Sequence, residues 1–369
     1  MSKRKIVVKF MHRGFPRGRS AVTFLRQFPN LAPQWDNCHF TFDVDCREYD
    51  WLVVYHDLPS DGSRFATVEQ LACPRERTML LTGEPSTITV FGVDYLKQFG
   101  SIVTFQEPWA MRRHPQVFFR PPGLLWHYGL ASWDGDCTSW DAMAAAPPSE
   151  KTEAISTVCS SRSGKTTLHS ERVSFTWWLK ERMDELAIFG HGVNPMRDKA
   201  EALDPFKYHI AVENHVYNHH ITEKLPDAFL GRTLPFYHGA PNATEYFPKE
   251  SFIPIDIRKP VRTAESIRYH MANNEYEDRL PYIEEARRRV LEEHNLFAVI
   301  ADSIKAAEKA ITTSTHGGKI YNRSTIRIKK PAAGLRSIFE KVAVKTYHRY
   351  IRKTREAFEL QRMKEEMAG

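Results

Sequence analysis

The chain has 369 residues, 42% hydrophobic and 12% aromatic, an ordinary soluble globular composition long enough for two domains, and no apolar run nears the roughly 20 residues that cross a bilayer. Five scattered cysteines, Cys38, Cys46, Cys73, Cys137 and Cys159, form no CxxC pair, which argues against a disulfide framework or a structural zinc site. The net charge of +7 is concentrated from Arg323 onward, where 13 Lys and Arg face 5 Asp and Glu; the remainder, at −1, offers no basic face for nucleic acid.

Met1-Ser2-Lys3-Arg4 leads into a strand-like Ile6-Val7-Val8 and not into a signal-peptide core, so the expected location is the cytoplasm. A strand is expected over residues 6–10, then a basic loop over 13–19 and a buried strand over 49–55, with Asp50-Trp51-Leu52-Val53-Val54 the strongest strand signal of this half. Asp43-Val44-Asp45 has the DxD spelling of a metal-diphosphate bridge, but its place before the 49–55 strand reads as a solvated loop. Further strands are expected over 78–82, ending at Gly83-Glu84-Pro85, and over 101–105, with helix over 88–99 between them. Alternation of this kind implies a parallel sheet with helical crossovers, an α/β fold. Residues 134–150, rich in Ala, Pro, Ser and Asp, read as a surface linker, which sets domains at 1–150 and 151–322 and a tail at 323–369.

The second domain opens with a strand over 154–160, followed by a helix from about 171 to 186 and a short strand at Ile188-Phe189. Ser163-Gly164-Lys165-Thr166-Thr167 has the ending of a phosphate loop, but GxxxxGK[ST] requires glycine where Cys159 stands, so an ATPase reading loses its support. Residues 207–212 then alternate as a strand, Glu213-Asn214 ends it, and Thr222 is placed to cap a helix that runs through Ala228 and Phe229 and stops at Gly231, before a strand over 233–237. Ligands of open α/β sheets bind where loops leave the carboxyl ends of strands. A helix start attracts phosphate, Lys224 adds a full charge there, and Glu223 can accept two hydrogen bonds from a ribose diol. The plainer reading of Thr222-Glu223-Lys224 in isolation is a capped helix with solvated charges. His209, His215, His219, His220 and His238 cluster in sequence, but no Cys or carboxylate is spaced to complete a zinc site, and no metal is expected. In the tail, Leu335, Ile338, Phe339, Val342, Tyr347, Tyr350, Ile351 and Phe358 recur at helical spacing between basic residues. Such a helix either lies on an anionic membrane surface or packs on the body with its charges solvated.

The order Glu213-Asn214, Thr222-Glu223-Lys224, Pro235 and Gly239, then Ser251-Phe252-Ile253 closely resembles the donor-binding signature of the α-1,3-fucosyltransferases. That resemblance implies an inverting glycosyltransferase of GT-B architecture, two Rossmann-like domains facing a cleft, which uses GDP-fucose as co-substrate and needs no metal or other cofactor. It implies a donor site of Arg172, Glu213, Asn214, His220, Glu223 and Lys224, with Arg172 on the leaving diphosphate. It also places Glu84 as the general base that takes the proton of a glycan acceptor hydroxyl, against the plainer reading of a solvated turn glutamate. The partners so implied are a GDP-sugar and a glycan acceptor, in lipopolysaccharide or other surface polysaccharide synthesis. Val212, His220 and His238 depart from the aromatic residues usual at those positions and leave the sugar open. Two other readings stand beside this one: the same scaffold with another nucleotide sugar, and a catalytically silent glycan-binding protein, which would have no need of a base together with a phosphate clamp.

Overall fold

In the computed structural model, residues 4–350 are described except 14–20, 60–66, 113, 124, 133–134, 148, 160–167 and 313–316. All of the expected basic loop 13–19 but Arg13, the loop 160–167 and the tail beyond 350 therefore lie outside the described residues, as does the start of the expected linker. The chain divides into two compact units, Met1–Leu124 with Leu296–Tyr350, and Leu125–Asn295.

The first unit is built on β1 (Ile6–His12), β2 (Gln34–Trp35), β3 (Cys38–Thr41) and β4 (Trp51–Tyr55). A short β5 (Val68–Gln70) follows, then β6 (Thr78–Leu81), β7 (Ser101–Thr104) and β8 (Val117–Phe119). The seven-stranded sheet has the order β2-β3-β1-β4-β6-β7-β8, parallel except where β2 meets β3. β4 and β6 are buried along their whole length, which is why the unbroken apolar runs Trp51–Tyr55 and Thr78–Leu81 read as strands. Lys9, fully buried in this core, is satisfied by Glu69 Oε1 at 2.8 Å and the Cys46 carbonyl at 3.0 Å. Two short helices, α1 (Ala21–Leu25) and α2 (Val93–Leu96), are all that the described residues show before 124 besides single 3-10 turns. The helix expected over 88–99 shrinks to α2 because Gly92, at φ 82°, lies outside the helical region and its neighbours 85–89 make a turn.

The second unit contains α3 (Trp140–Ala145), β9 (Glu153–Val158), α4 (His169–Lys180) and β10 (Leu186–Phe189). It continues with β11 (Phe206–Val212), α5 (Lys224–Leu230), β12 (Leu234–His238) and β13 (Ile253–Pro254), and closes with α6 (Pro260–Ala272) and α7 (Glu275–Glu292). Its sheet, β10-β9-β11-β12-β13, is parallel at every described pairing. The linker expected over 134–150 is not one. Ser139 caps α3 by accepting from the Ala142 N–H, Met143 is 1% exposed in the core, and the Arg287 and Arg232 guanidiniums donate to the carbonyls of Met143 and Ala146. The unit thus begins at 125 and not at 151.

After α7 the chain returns to the first unit. α8 (Leu296–Glu308) sets Phe297 flat on Phe28, with ring centroids 4.0 Å apart, among Phe10, Phe24, Phe40 and Phe42. Glu308 accepts from Trp51 Nε1 at 2.8 Å and pairs with Arg77. β14 (Lys319–Tyr321) pairs antiparallel with β5, and α9 (Arg323–Lys329) and α10 (Pro331–Tyr350) follow. The tail is helical over Pro331–Tyr350, but its orientation there is the reverse of a buried apolar stripe. Leu335, Ile338, Phe339 and Val342 are exposed, whereas Ser337, Glu340, Val344 and His348 face the unit. His348 Nε2 meets Ser86 Oγ at 2.7 Å, and Ser86 donates to Glu107.

Candidate donor site

A cavity of about 590 Å³ opens at the carboxyl ends of β9 and β11, between α4 and the start of α5. Val158 and Val212 end the two strands at its floor; His169 and Arg172 reach it from α4, and Asn214, Glu223 and Lys224 from the loop that joins β11 to α5. This is the position at which a parallel sheet presents its loops to a ligand. The Leu168 N–H donates to the Asn214 carbonyl at 3.1 Å, which ties the beginning of α4 to the end of β11 and sets Arg172 beside Asn214.

Arg172 is 9% exposed, and its Nη1 makes one long contact, 3.5 Å, to the Val212 carbonyl; among the described residues its Nε has no partner, and neither has Asn214 Oδ1. A buried guanidinium so weakly engaged retains donors for an anion. Lys224 Nζ donates to Thr222 Oγ1 at 3.0 Å and Glu223 Oε1 at 2.9 Å and lies 3.5 Å from Glu213. Burial works against its charge, but Glu223 and Glu213 hold its pKa above the usual lysine value. Burial likewise opposes ionisation of Glu223, and Lys224 overcomes it, holding that carboxyl well below the usual range. His169 is pushed down, first by burial and then by Arg172 and Lys224, so it stays neutral beside the two cations.

Glu213 does not line the cavity. It is fully buried and accepts from the Thr222 N–H at 2.8 Å and Thr222 Oγ1 at 2.6 Å, so it buttresses the Thr222-Glu223-Lys224 turn from behind; burial raises its pKa. Thr222 is therefore not the expected helix cap. α5 begins at Lys224 and has only seven residues, and at such a length the side-chain charges outweigh the helix end. His220 is 1% exposed against His215, rings 5.3 Å apart, and also lies outside the cavity lining. Gly239 has a steric reason: a Cβ there would fall 2.2 Å from Tyr237 Oη and 2.6 Å from Glu213 Cγ. Phe252 supports the same Tyr237 ring edge-on at 5.8 Å.

Sequence reasoning missed His127, His169 and Lys199. His169 stands three residues before Arg172 on one helix face, a spacing that could have found it. Lys199 is engaged below the site in a buried pair with Asp227 at 2.9 Å, and Asp227 also accepts from the His127 N–H; no local pattern marks that contact. His209 lines the cavity from within β11, held neutral by burial and Lys199, its Nδ1 2.8 Å from Ser156 Oγ. Among the described residues no group of His, Cys, Asp and Glu is arranged to hold a metal ion. Glu84 belongs to the first unit, in the turn after β6, half-buried, its carbonyl accepting from Gln106 Nε2 at 2.6 Å. Asp43 and Asp45 form a local turn in which Asp43 Oδ1 accepts the Asp45 N–H, exposed to solvent.

Residues 148–282 match the family of the glycosyltransferase family 10 (fucosyltransferase) C-terminal domain. An alpha-(1,3)-fucosyltransferase, FucT, of Helicobacter pylori is 31% identical over 87 residues, 23% of this chain; the chain spans 18% of that relative's length. A crystal structure of an alpha1,3-fucosyltransferase is 15% identical with a TM-score of 0.48, covering 85% of this chain and 92% of that one. A second, solved with GDP-fucose, is 16% identical with a TM-score of 0.44, covering 79% and 92%. The matched residues 148–282 include β9 to β13 and the cavity-lining Arg172, Asn214, Glu223 and Lys224, so over this segment the chain is similar to the glycosyltransferase family 10 (fucosyltransferase) C-terminal domain.

Proposed function

We propose that the protein is an inverting glycosyltransferase of GT-B type that moves L-fucose, or a closely related sugar, from a GDP-sugar to a glycan hydroxyl in surface polysaccharide synthesis in the cytoplasm. The observation that supports this best is the pairing of a buried, under-engaged Arg172 with Lys224 across one cavity in the family-matched segment. Their two positive charges suit a diphosphate, Glu223 suits the ribose diol, and Glu213 sets the geometry of the turn that presents both. In the reaction Glu84 accepts the proton of the acceptor hydroxyl. The hydroxyl oxygen attacks the anomeric carbon, the bond from that carbon to the β-phosphate oxygen breaks, and GDP leaves with the electron pair against Arg172 and Lys224. One carboxylate suffices because a single displacement inverts the centre without a covalent intermediate.

Thermal unfolding with a panel of nucleotides tests the donor class. GDP and GDP-fucose are expected to raise the melting temperature, with guanosine weak and Arg172→Ala blunting the response. Stabilisation by UDP or CMP sugars with none from GDP refutes the assignment.

A further inference from the structure

A second cavity, of about 290 Å³, lies within the first unit, where His56 and Asp57 leave β4 and meet the loop 88–90, α9 and α10. Four cations line it, Arg13, Arg323, Arg327 and Lys341, and a single carboxylate, Asp57. That carboxylate is already engaged: it accepts from the Leu58 N–H at 3.0 Å, Tyr95 Oη at 3.0 Å and Arg323 Nε at 3.1 Å. Among the described residues neither Arg327 nor Lys341 has an ion pair or side-chain hydrogen bond. Neighbouring cations bear on both. Burial and then Arg323 lower the pKa of Arg327, while Arg327 is the first cause that lowers Lys341. His56 adds no charge, since burial together with Arg323 and Arg13 pushes it to about 3.

Cations gathered around an open volume, with one spent counter-charge, are stable only at a cost that a bound anion removes. Thr89, on the same rim, ties the cavity to the candidate base. Gln106 Nε2 donates both to the Thr89 carbonyl at 3.0 Å and to the Glu84 carbonyl at 2.6 Å, so one side chain fixes the cavity wall and the Glu84 turn together.

We propose that this pocket seats a phosphate or carboxylate carried by the acceptor glycan, gripped by Arg323, Arg327 and Lys341, so that the enzyme's acceptor is an acidic sugar chain. The assignment of the anion to an acceptor rests on Glu84 as the base; the anion seat itself does not. It differs from the donor cavity in unit, in residues and in having no ribose-binding carboxylate free.

Calorimetric titration of the full chain with glucose 6-phosphate, glucuronate, glucose and inorganic phosphate tests it, beside sedimentation with phosphatidylglycerol vesicles and a GDP titration. Glucose 6-phosphate and glucuronate are expected to bind at least about 10-fold more tightly than glucose, and more tightly than inorganic phosphate. The double variant Arg327→Gln with Lys341→Gln is expected to weaken both by about 10- to 100-fold while GDP affinity stays unchanged, and to melt no lower than wild type because a repulsion is removed. Equal binding of the acidic sugars by the double variant, or no advantage over glucose, overturns the anion seat. Inorganic phosphate binding as well as glucose 6-phosphate, or vesicles as the sole anion captured, overturns the acceptor assignment. Glucose 6-phosphate binding to a chain that fails to bind GDP removes the donor reading and leaves the seat standing.

Discussion

Gly239→Ala should unsettle the donor site without altering any residue that lines it. The new methyl group would sit 2.2 Å from Tyr237 Oη, 2.3 Å from Tyr237 Cζ and 2.6 Å from Glu213 Cγ, and both neighbours are fully buried. Tyr237 has no free space to retreat into, since its hydroxyl accepts from the Ala240 N–H at 3.0 Å and its ring abuts Phe252. Forcing a methyl group into a packed core costs about 1–3 kcal/mol, and the loss of the Tyr237–Ala240 hydrogen bond adds about 1 kcal/mol. A total of about 2–4 kcal/mol corresponds to a fall of about 5–15 °C in melting temperature for a domain of this size. Because Glu213 is displaced, the Thr222-Glu223-Lys224 turn loses its buttress, and GDP affinity should fall together with stability. Differential scanning calorimetry and a GDP titration read the two effects. A variant that melts within about 2 °C of wild type and binds GDP normally would refute the steric account of Gly239.

Three further outcomes are expected. Glu84→Gln keeps shape and removes a proton acceptor, so turnover should drop by about 10²- to 10⁴-fold with GDP affinity retained; wild-type turnover would return Glu84 to an ordinary turn residue. Chelation with EDTA should leave activity largely intact, and Arg172→Ala or Lys224→Ala should impair turnover far more than Asp45→Ala; activity lost on chelation and restored by manganese would contradict the charge assignment. Stability of the first unit should fall as pH drops from about 6.5 toward 4, because burial holds His56 at about 3 and His12 at about 4 against an ordinary 6.5. In that window the unfolded chain binds the extra protons, so the contribution is present above 6.5 and is lost on acidification. Urea titrations across pH should show the slope, and His56→Gln should flatten it; an unchanged profile in that variant would exclude His56 as a source.

What the sequence made legible was local. The apolar runs of β4 and β6 read correctly because a parallel strand buried on both faces needs no partner to reveal itself, whereas β11, read from alternation, is buried on both faces from Tyr208 to Val212. Lys224 was legible as a charge at a helix start and Arg172 only through the family resemblance, and both line one cavity. Glu213 was legible as a polar residue after a strand, but not as a buttress, because its role depends on Thr222 folding back nine residues later. The error over 134–150 has a compositional cause: Ala, Ser and Asp suit linkers and capped helices alike, and only the burial of Met143 decides between them. The sidedness of α10 was hidden for a related reason. Its apolar residues recur at helical spacing, yet the surface beneath offers polar partners, Ser86 and the Val93 N–H, and these take His348 and Glu340 instead. No periodicity could show that Phe297 belongs with Phe28.

That ring stack carries a consequence for synthesis on the ribosome. The sheet assembled from the first 124 residues lacks a central piece of its aromatic core until α8 is made, whereas residues 125–295 are contiguous and can close on their own. At about 5–20 residues per second, roughly 10–35 s separate the two events. During that interval Phe10, Phe24, Phe28 and Phe40 stand without their ring partner Phe297, and the nascent amino-terminal half is a natural client for a chaperone until α8 follows directly on the second unit.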